Sequence, residues 1–140
     1  MKLLIQKLHA DAKLPERAHE DDAGMDLFSQ EDVVLLPAER RLVKTGIAMA
    51  IPSGFVGLIW DKSGLAAKAG VTTLGGVVDA GYRGEVQVIM MNLSQESHHI
   101  AVGDKIAQML IQAVALPSIE EATELPEALR GDNGFGSTGK

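Results

Sequence analysis

The chain has no cysteine, so neither a disulfide framework nor a thiolate metal site is available to it. A reducing compartment is compatible with that absence. It also lacks a long apolar run. The opening M-K-L-L-I-Q-K-L-H-A is broken by Gln6, Lys7 and His9 before it reaches the length of a signal-peptide core, and nothing approaches the roughly 18 apolar residues of a membrane span. A cytoplasmic protein with no membrane partner is expected. Positive charge is short as well. A formal net charge of −6 excludes a general nucleic-acid binder, which needs a basic surface to displace counterions, but leaves room for a small anion held by local cations or screened by a divalent metal. His9, His19, His98 and His99 have no metal-ligand spacing, and no serine lies in a nucleophile-elbow pattern. Covalent catalysis is therefore not expected, and water activated by an acidic residue remains.

What is present is a chain of 140 residues, the size of one domain, with 15 glycines and 5 prolines to supply turns. Strand-length apolar runs rich in valine and isoleucine occur at Val33 to Leu36, Leu42 to Ile51, Phe55 to Trp60, Val86 to Leu93, His99 to Val102 and Ile106 to Val114. The gaps between them are too short for crossover helices, which predicts an all-β sandwich or jelly-roll-like barrel. One short helix is predicted over Ser63 to Lys68, with the serine as its cap and Gly70 as its stop. From Pro117 the sequence carries four glutamates, a further proline and few large apolar side chains, as an extended arm does. The division expected is a β domain over 1–119 and an arm over 120–140.

That arm ends in R-G-D-N-G-F-G-S-T-G-K, whose glycines, hydroxyls, terminal cations and single ring are the parts of a nucleotide clamp. A solvated tail is the alternative; Phe135 among the glycines favours the clamp. Four internal segments carry further candidates. D-K-S-G at Asp61 to Gly64 offers a lysine, a hydroxyl and helix-start N–H groups to a phosphate, or is an ordinary capped helix. G-G-V-V-D-A-G-Y-R-G-E, from Gly75 to Glu85, has the turn chemistry of a β-hairpin, with Asp79 either an Asx-turn cap or a general base on water and Tyr82 a wall against a sugar. In G-D-K-I-A-Q-M-L, Gln108 is the polar exception in a strand, either satisfying backbone groups or reaching a ligand. In A-G-M-D-L-F-S, Asp26 is either an edge-strand charge or part of a metal network.

These five segments, in this order and over essentially the whole chain, resemble the five motifs of the homotrimeric dUTP pyrophosphatases (dUTPases). The resemblance implies a distorted jelly-roll or β-clip subunit with an extended C-terminal arm. It implies a homotrimer with active sites shared between chains, and Mg²⁺-dependent hydrolysis of dUTP to dUMP and pyrophosphate by water attack on the α-phosphorus. Such an activity limits uracil incorporation into DNA and supplies dUMP for dTMP synthesis. Carried over by position, Asp79 is the catalytic base. Tyr82 packs against the deoxyribose and excludes a 2′-hydroxyl, while the backbone of the Gly76, Val77, Val78 and Asp79 hairpin reads the uracil. Lys62, Ser63, Gly64 and Gln108 contact phosphates. Arg130, Gly136, Ser137 and Thr138 hold the terminal phosphate, and Phe135 covers the base. Magnesium is gripped by the phosphates and by water, with Asp26 reaching its shell only through water.

Two positions depart from the family pattern. Lys62 stands where arginine is usual, turning a forked phosphate contact into a point charge. Asn133 stands where glycine is usual, and asparagine tolerates the left-handed backbone better than most residues. A dCTP deaminase on the same fold shares the S-x-L-A helix but generally carries a D-P-G-F-type stretch where this chain has D-A-G-Y-R-G. A non-enzymatic trimer that kept the pocket is the other alternative; retention of Asp79, Tyr82, Arg130 and Phe135 argues against it.

Overall fold

The structure, a computed structural model, describes residues 1–129, 131 and 132. Ten strands and one helix follow one another as β1 (Leu4–Lys7), β2 (Met25–Phe28), β3 (Val33–Leu35), β4 (Arg40–Ala50), β5 (Phe55–Trp60), α1 (Ser63–Ala69), β6 (Val71–Leu74), β7 (Val77–Val78), β8 (Glu85–Asn92), β9 (His98–Ile100) and β10 (Lys105–Ala113). All six predicted runs are strands. The protein is all-β and jelly-roll-like with one short helix, built from antiparallel sheets in the orders β1-β4-β8-β6 and β2-β10-β5-β7, with a β3-β9 pair beside them. After Ala113 no strand or helix forms among the described residues.

The longest strands set the core. β8 reads E-V-Q-V-I-M-M-N, and its period of two sends Val86, Val88, Met90 and Asn92 inward while Glu85, Gln87, Ile89 and Met91 face the other way. Val86, Val88 and Met90 join Val43 and Ile47 of β4, Leu27 of β2 and Ile106 and Met109 of β10 in one apolar cluster. Asn92, the fully buried polar member, is saturated: its amide donates to Leu35 O at 3.0 Å and Glu96 O at 2.7 Å, and its Oδ1 accepts from Ser94.

Helix α1 occupies the predicted place with a different start. Lys62, in extended conformation, is the N-cap and makes no side-chain cap hydrogen bond, so Ser63 is the first helical residue and not the cap. Its end is as expected, with Gly70 at φ 62° donating its N–H to Leu65 O.

β4 carries an irregularity opposite the start of β8. Lys44 pairs with Gln87 but Ala48 with Glu85, so β4 holds extra residues at Thr45 to Ile47. The lost ladder is replaced by side chains: Thr45 Oγ1 donates to Val86 O at 2.6 Å and Gly46 N–H to the Glu85 carboxylate at 2.9 Å. Gly46, at φ 70° and closed in by Ala12 and Gln30, leaves no room for a Cβ.

Candidate active site

Gly75 and Gly76, at φ 71° and 94°, carry the chain out of one sheet and into the other. β6 ends by pairing Leu74 with Ile89 of β8, whereas Val77 and Val78 pair with Leu58 and Gly57 of β5. A Cβ on Gly76 would lie 2.6 Å from Ile59 O, and Ile59 N–H donates to Gly76 O at 2.8 Å, so the crossing requires glycine. The hairpin expected from D-A-G-Y-R-G is therefore corrected: β7 has no ladder with β8, and Asp79 to Gly84 is the return crossing between sheets. That return is closed by Tyr82 N–H on Asp79 O at 3.0 Å and by the Arg83 guanidinium on Ala80 O and Tyr82 O at 2.6 and 2.7 Å. The local turn chemistry of a hairpin and of a sheet crossing is the same; only long-range pairing tells them apart.

Where the sheets part, a cleft of about 530 Å³ opens, lined by Gly76, Val77, Val78, Asp79, Tyr82, Glu85 and Gln87 over a floor that includes Leu42, Leu74 and Ile89. Those floor residues form a row, because Leu42 and Leu74 are both register partners of Ile89. An apolar floor with a few polar groups converging on it suits a flat base and a sugar. Asp79 sits on the exposed rim at the end of β7, and its carboxylate accepts no hydrogen bond among the described residues. The Tyr82 ring is half exposed, with its hydroxyl donating to Glu85 O at 3.0 Å.

A second group of predicted residues gathers around the β5–α1 junction. Asp26 lies on β2, an edge strand of its sheet, yet is only 4% exposed, because Asp26 N–H bonds Glu16 O at 2.7 Å and the Glu16 bridge covers the edge. Lys62 Nζ meets its Oδ1 at 2.5 Å, while Lys105 Nζ stands 2.8 Å from Oδ2 at an angle that leaves this oxygen without a well-formed hydrogen bond. Burial pushes the Asp26 carboxyl upward, but Lys105 and Lys62 outweigh it and hold the group below its ordinary value; the same contact raises Lys105. Lys62, expected on a phosphate, is thus tied to Asp26, with about a third of its side chain left exposed.

Asp61 is saturated in its turn. Its carboxylate accepts from Thr73 N–H at 2.6 Å, Thr73 Oγ1 at 2.7 Å and Thr72 Oγ1 at 2.8 Å, which outweigh desolvation and lower its pKa. Gln108 donates to Asp61 O at 2.9 Å, and its Oε1 occupies the space a Cβ at Gly24 would need. Gln108 thus satisfies a backbone carbonyl with one amide N–H.

The predicted residues thus fall into two places. Gly76, Val77, Val78, Asp79 and Tyr82 share the cleft. Lys62 and Gln108 join Asp26 at the junction, with Ser63 and Gly64 exposed on the first turn of α1. Arg130, Phe135, Gly136, Ser137 and Thr138, with Asn133, lie outside the described residues. Lys105 and Asp61 escaped the sequence reading. The β2–β10 register, which pairs Asp26 with Gln108 and Phe28 with Lys105, is what brings Lys105 to Asp26.

No group of three or more His, Asp or Glu side chains suited to a metal occurs among the described residues. Both oxygens of buried Asp26 face lysines, so a metal at this site is one that arrives already held by its ligand and not one caged by protein. No helix among the described residues is long and apolar enough to cross a membrane.

The dUTPase family profile matches residues 10–139. The chain is 49% identical over 141 residues to the deoxyuridine 5′-triphosphate nucleotidohydrolase of Clostridium novyi (strain NT), covering 99% of both chains. It is 50% identical over 145 residues to that of Mycolicibacterium gilvum (strain PYR-GCK), covering 98% of this chain and 94% of the relative. Among solved structures, a dUTPase of Staphylococcus bacteriophage 80alpha with dUpNHpp superposes with a TM-score of 0.94 at 32% identity over 99% of each chain. A mutant dUTPase from phage phi11 of S. aureus, described as revealing the coordination of a structural Mg(II) ion, superposes with a TM-score of 0.85 at 31% identity over 91% of this chain and 100% of its own.

Proposed function

The chain belongs to the dUTPase family and is an enzyme that hydrolyses dUTP to dUMP, and on that premise we propose that Asp79 is the base that activates the attacking water, in a site completed by other copies of the chain. The observation that carries this is the unequal state of the carboxylates. Asp26 and Asp61 are consumed by partners, whereas Asp79 stands on the rim of the nucleoside-sized cleft with its oxygens uncommitted among the described residues.

Uracil and deoxyribose lie on the Leu42–Ile89–Leu74 floor, the base against the Gly76 to Val78 backbone and the sugar against Tyr82. Asp79 takes a proton from water as its oxygen bonds the α-phosphorus; the bond from that phosphorus to the bridging oxygen breaks and pyrophosphate leaves. Magnesium, carried in on the triphosphate, supplies charge neutralisation of the phosphate oxygens. Lys62, Ser63, Gly64 and Gln108 of one chain and Arg130, Gly136, Ser137 and Thr138 of another hold those phosphates, with Phe135 over the base. In this reading the sites are shared within a homotrimer, the arm over 120–140 reaching a neighbour from the domain over 1–119. The product serves dTMP synthesis, and removal of the substrate keeps uracil out of DNA, in the cytoplasm.

The test is pyrophosphate release from dUTP, dCTP, dTTP and UTP in parallel, with magnesium and with a chelator. Release from dUTP alone, abolished by the chelator, is expected. Equal release from UTP would remove the role given to Tyr82, and ammonia from dCTP would favour the deaminase.

A further inference from the structure

We propose that Glu85 is a specificity-determining residue: it positions Tyr82 by strapping the Tyr82 hydroxyl to the irregular stretch of β4. The proposal rests on the reading of Tyr82 as the wall against the sugar. Two contacts made by one residue define the strap. The Glu85 backbone carbonyl accepts the Tyr82 hydroxyl at 3.0 Å, and the Glu85 carboxylate accepts Gly46 N–H at 2.9 Å. Glu85 is the first residue of β8 and pairs with Ala48 beyond the β4 irregularity, where the regular ladder resumes. Its backbone is therefore fixed on one side by the sheet and, through its side chain, by Gly46, whose own carbonyl accepts Leu8 N–H at 2.8 Å.

Residue 84 has to be glycine for the same purpose, since a Cβ there would collide with the Tyr82 hydroxyl. Tyr82 is half exposed and lies over Gly84, which has no side chain to confine it, so the hydroxyl bond to a rigid acceptor fixes the ring. A ring that must exclude one oxygen atom from a sugar is useful only if it cannot swing away. The carboxylate at 85 also lines the cleft, yet its bond to Gly46 makes it part of the frame.

The experiment measures kcat/KM for dUTP and for UTP, together with Tm, in the wild type, Tyr82→Phe, Glu85→Ala, Glu85→Gln, the Tyr82→Phe/Glu85→Ala double variant and Tyr82→Ala. Tyr82→Phe and Glu85→Ala should each raise the UTP-to-dUTP ratio about tenfold, the order expected for one lost hydrogen bond that positions a group. The double variant should go no further than either alone, because both cut one strap. Glu85→Gln, whose Oε1 still accepts Gly46 N–H, should keep the wild-type ratio. If Glu85→Ala lowers Tm but leaves the ratio unchanged, or if the double variant is additive, the strap is wrong. If Glu85→Ala fails to fold, an unchanged ratio in Tyr82→Phe overturns it equally. An unchanged ratio in Tyr82→Ala would instead show that the sugar wall itself is misassigned, and the strap falls with it.

Discussion

The cleft beside Tyr82 and the junction around Asp26 hold acidic residues of the same kind in opposite states. At the junction every carboxylate is engaged: Asp26 by Lys62 and Lys105, Asp61 by Thr72 and Thr73. In the cleft, Asp79 has no side-chain donor among the described residues. Saturated groups have little left to offer a reaction and build a rigid frame, while a carboxylate that the fold leaves unpaired at the rim of a cleft can take a proton. On the proposed assignment, the engaged carboxylates of the junction hold the geometry and Asp79 supplies the base.

The largest effect that would break this contrast is at Asp79. Asp79→Asn should cut kcat for dUTP by about 10²–10⁴, the usual scale for losing a general base, with Tm unchanged because no contact is lost. Steady-state rates and a thermal melt check it; a stability loss would make Asp79 a frame residue after all.

Asp26→Ala is the mirror experiment. It should cost about 2 kcal/mol of stability, less than a fully buried pair because both lysines can turn to water. The effect should depend on pH. The folded-state pKa values of Asp26 and Asp61 are lowered, so their contribution is fully present above the unfolded value near pH 4 and is lost as pH falls through the folded values. Chemical denaturation of wild type and variant at pH 7 and in acid should therefore converge as the pH is lowered. A difference that persists in acid would mean Asp26 matters for packing and not for charge.

Smaller still is the effect of Lys62→Arg. Lysine gives its single ammonium to Asp26, whereas a guanidinium can hold Asp26 with one edge and a phosphate with the other. KM for dUTP should fall by about three- to tenfold. An unchanged KM would mean that position 62 belongs wholly to the frame.

What was legible in the sequence followed from local patterns. The six apolar runs became strands because valine and isoleucine at strand length suit a pleated surface, and α1 ended at Gly70 because glycine adopts the left-handed φ of 62° that the cap requires. Four strands were outside those runs: β1, β2, β6 and β7, of at most four residues each, owe their existence to partners elsewhere in the chain. The same reason hid the sheet crossing at Gly75 and Gly76, the clamp of Asp61 on Thr72 and Thr73, and the reach of Lys105 to Asp26. Each is set by which strand lies alongside, which no local spacing reveals. Ser63 failed as a cap because Lys62 already holds the extended N-cap position.

The measurement that tests the account most directly is complementation between two inactive chains. Asp79→Asn and a chain ending at Leu129, each expected to be nearly inactive alone, are co-expressed and the mixed assemblies assayed for dUTP hydrolysis. If Asp79 and the tail of one site come from different chains, random mixing should restore activity to about a quarter of the sites. No recovery in mixed assemblies would contradict a shared site and return the base and the tail to one chain.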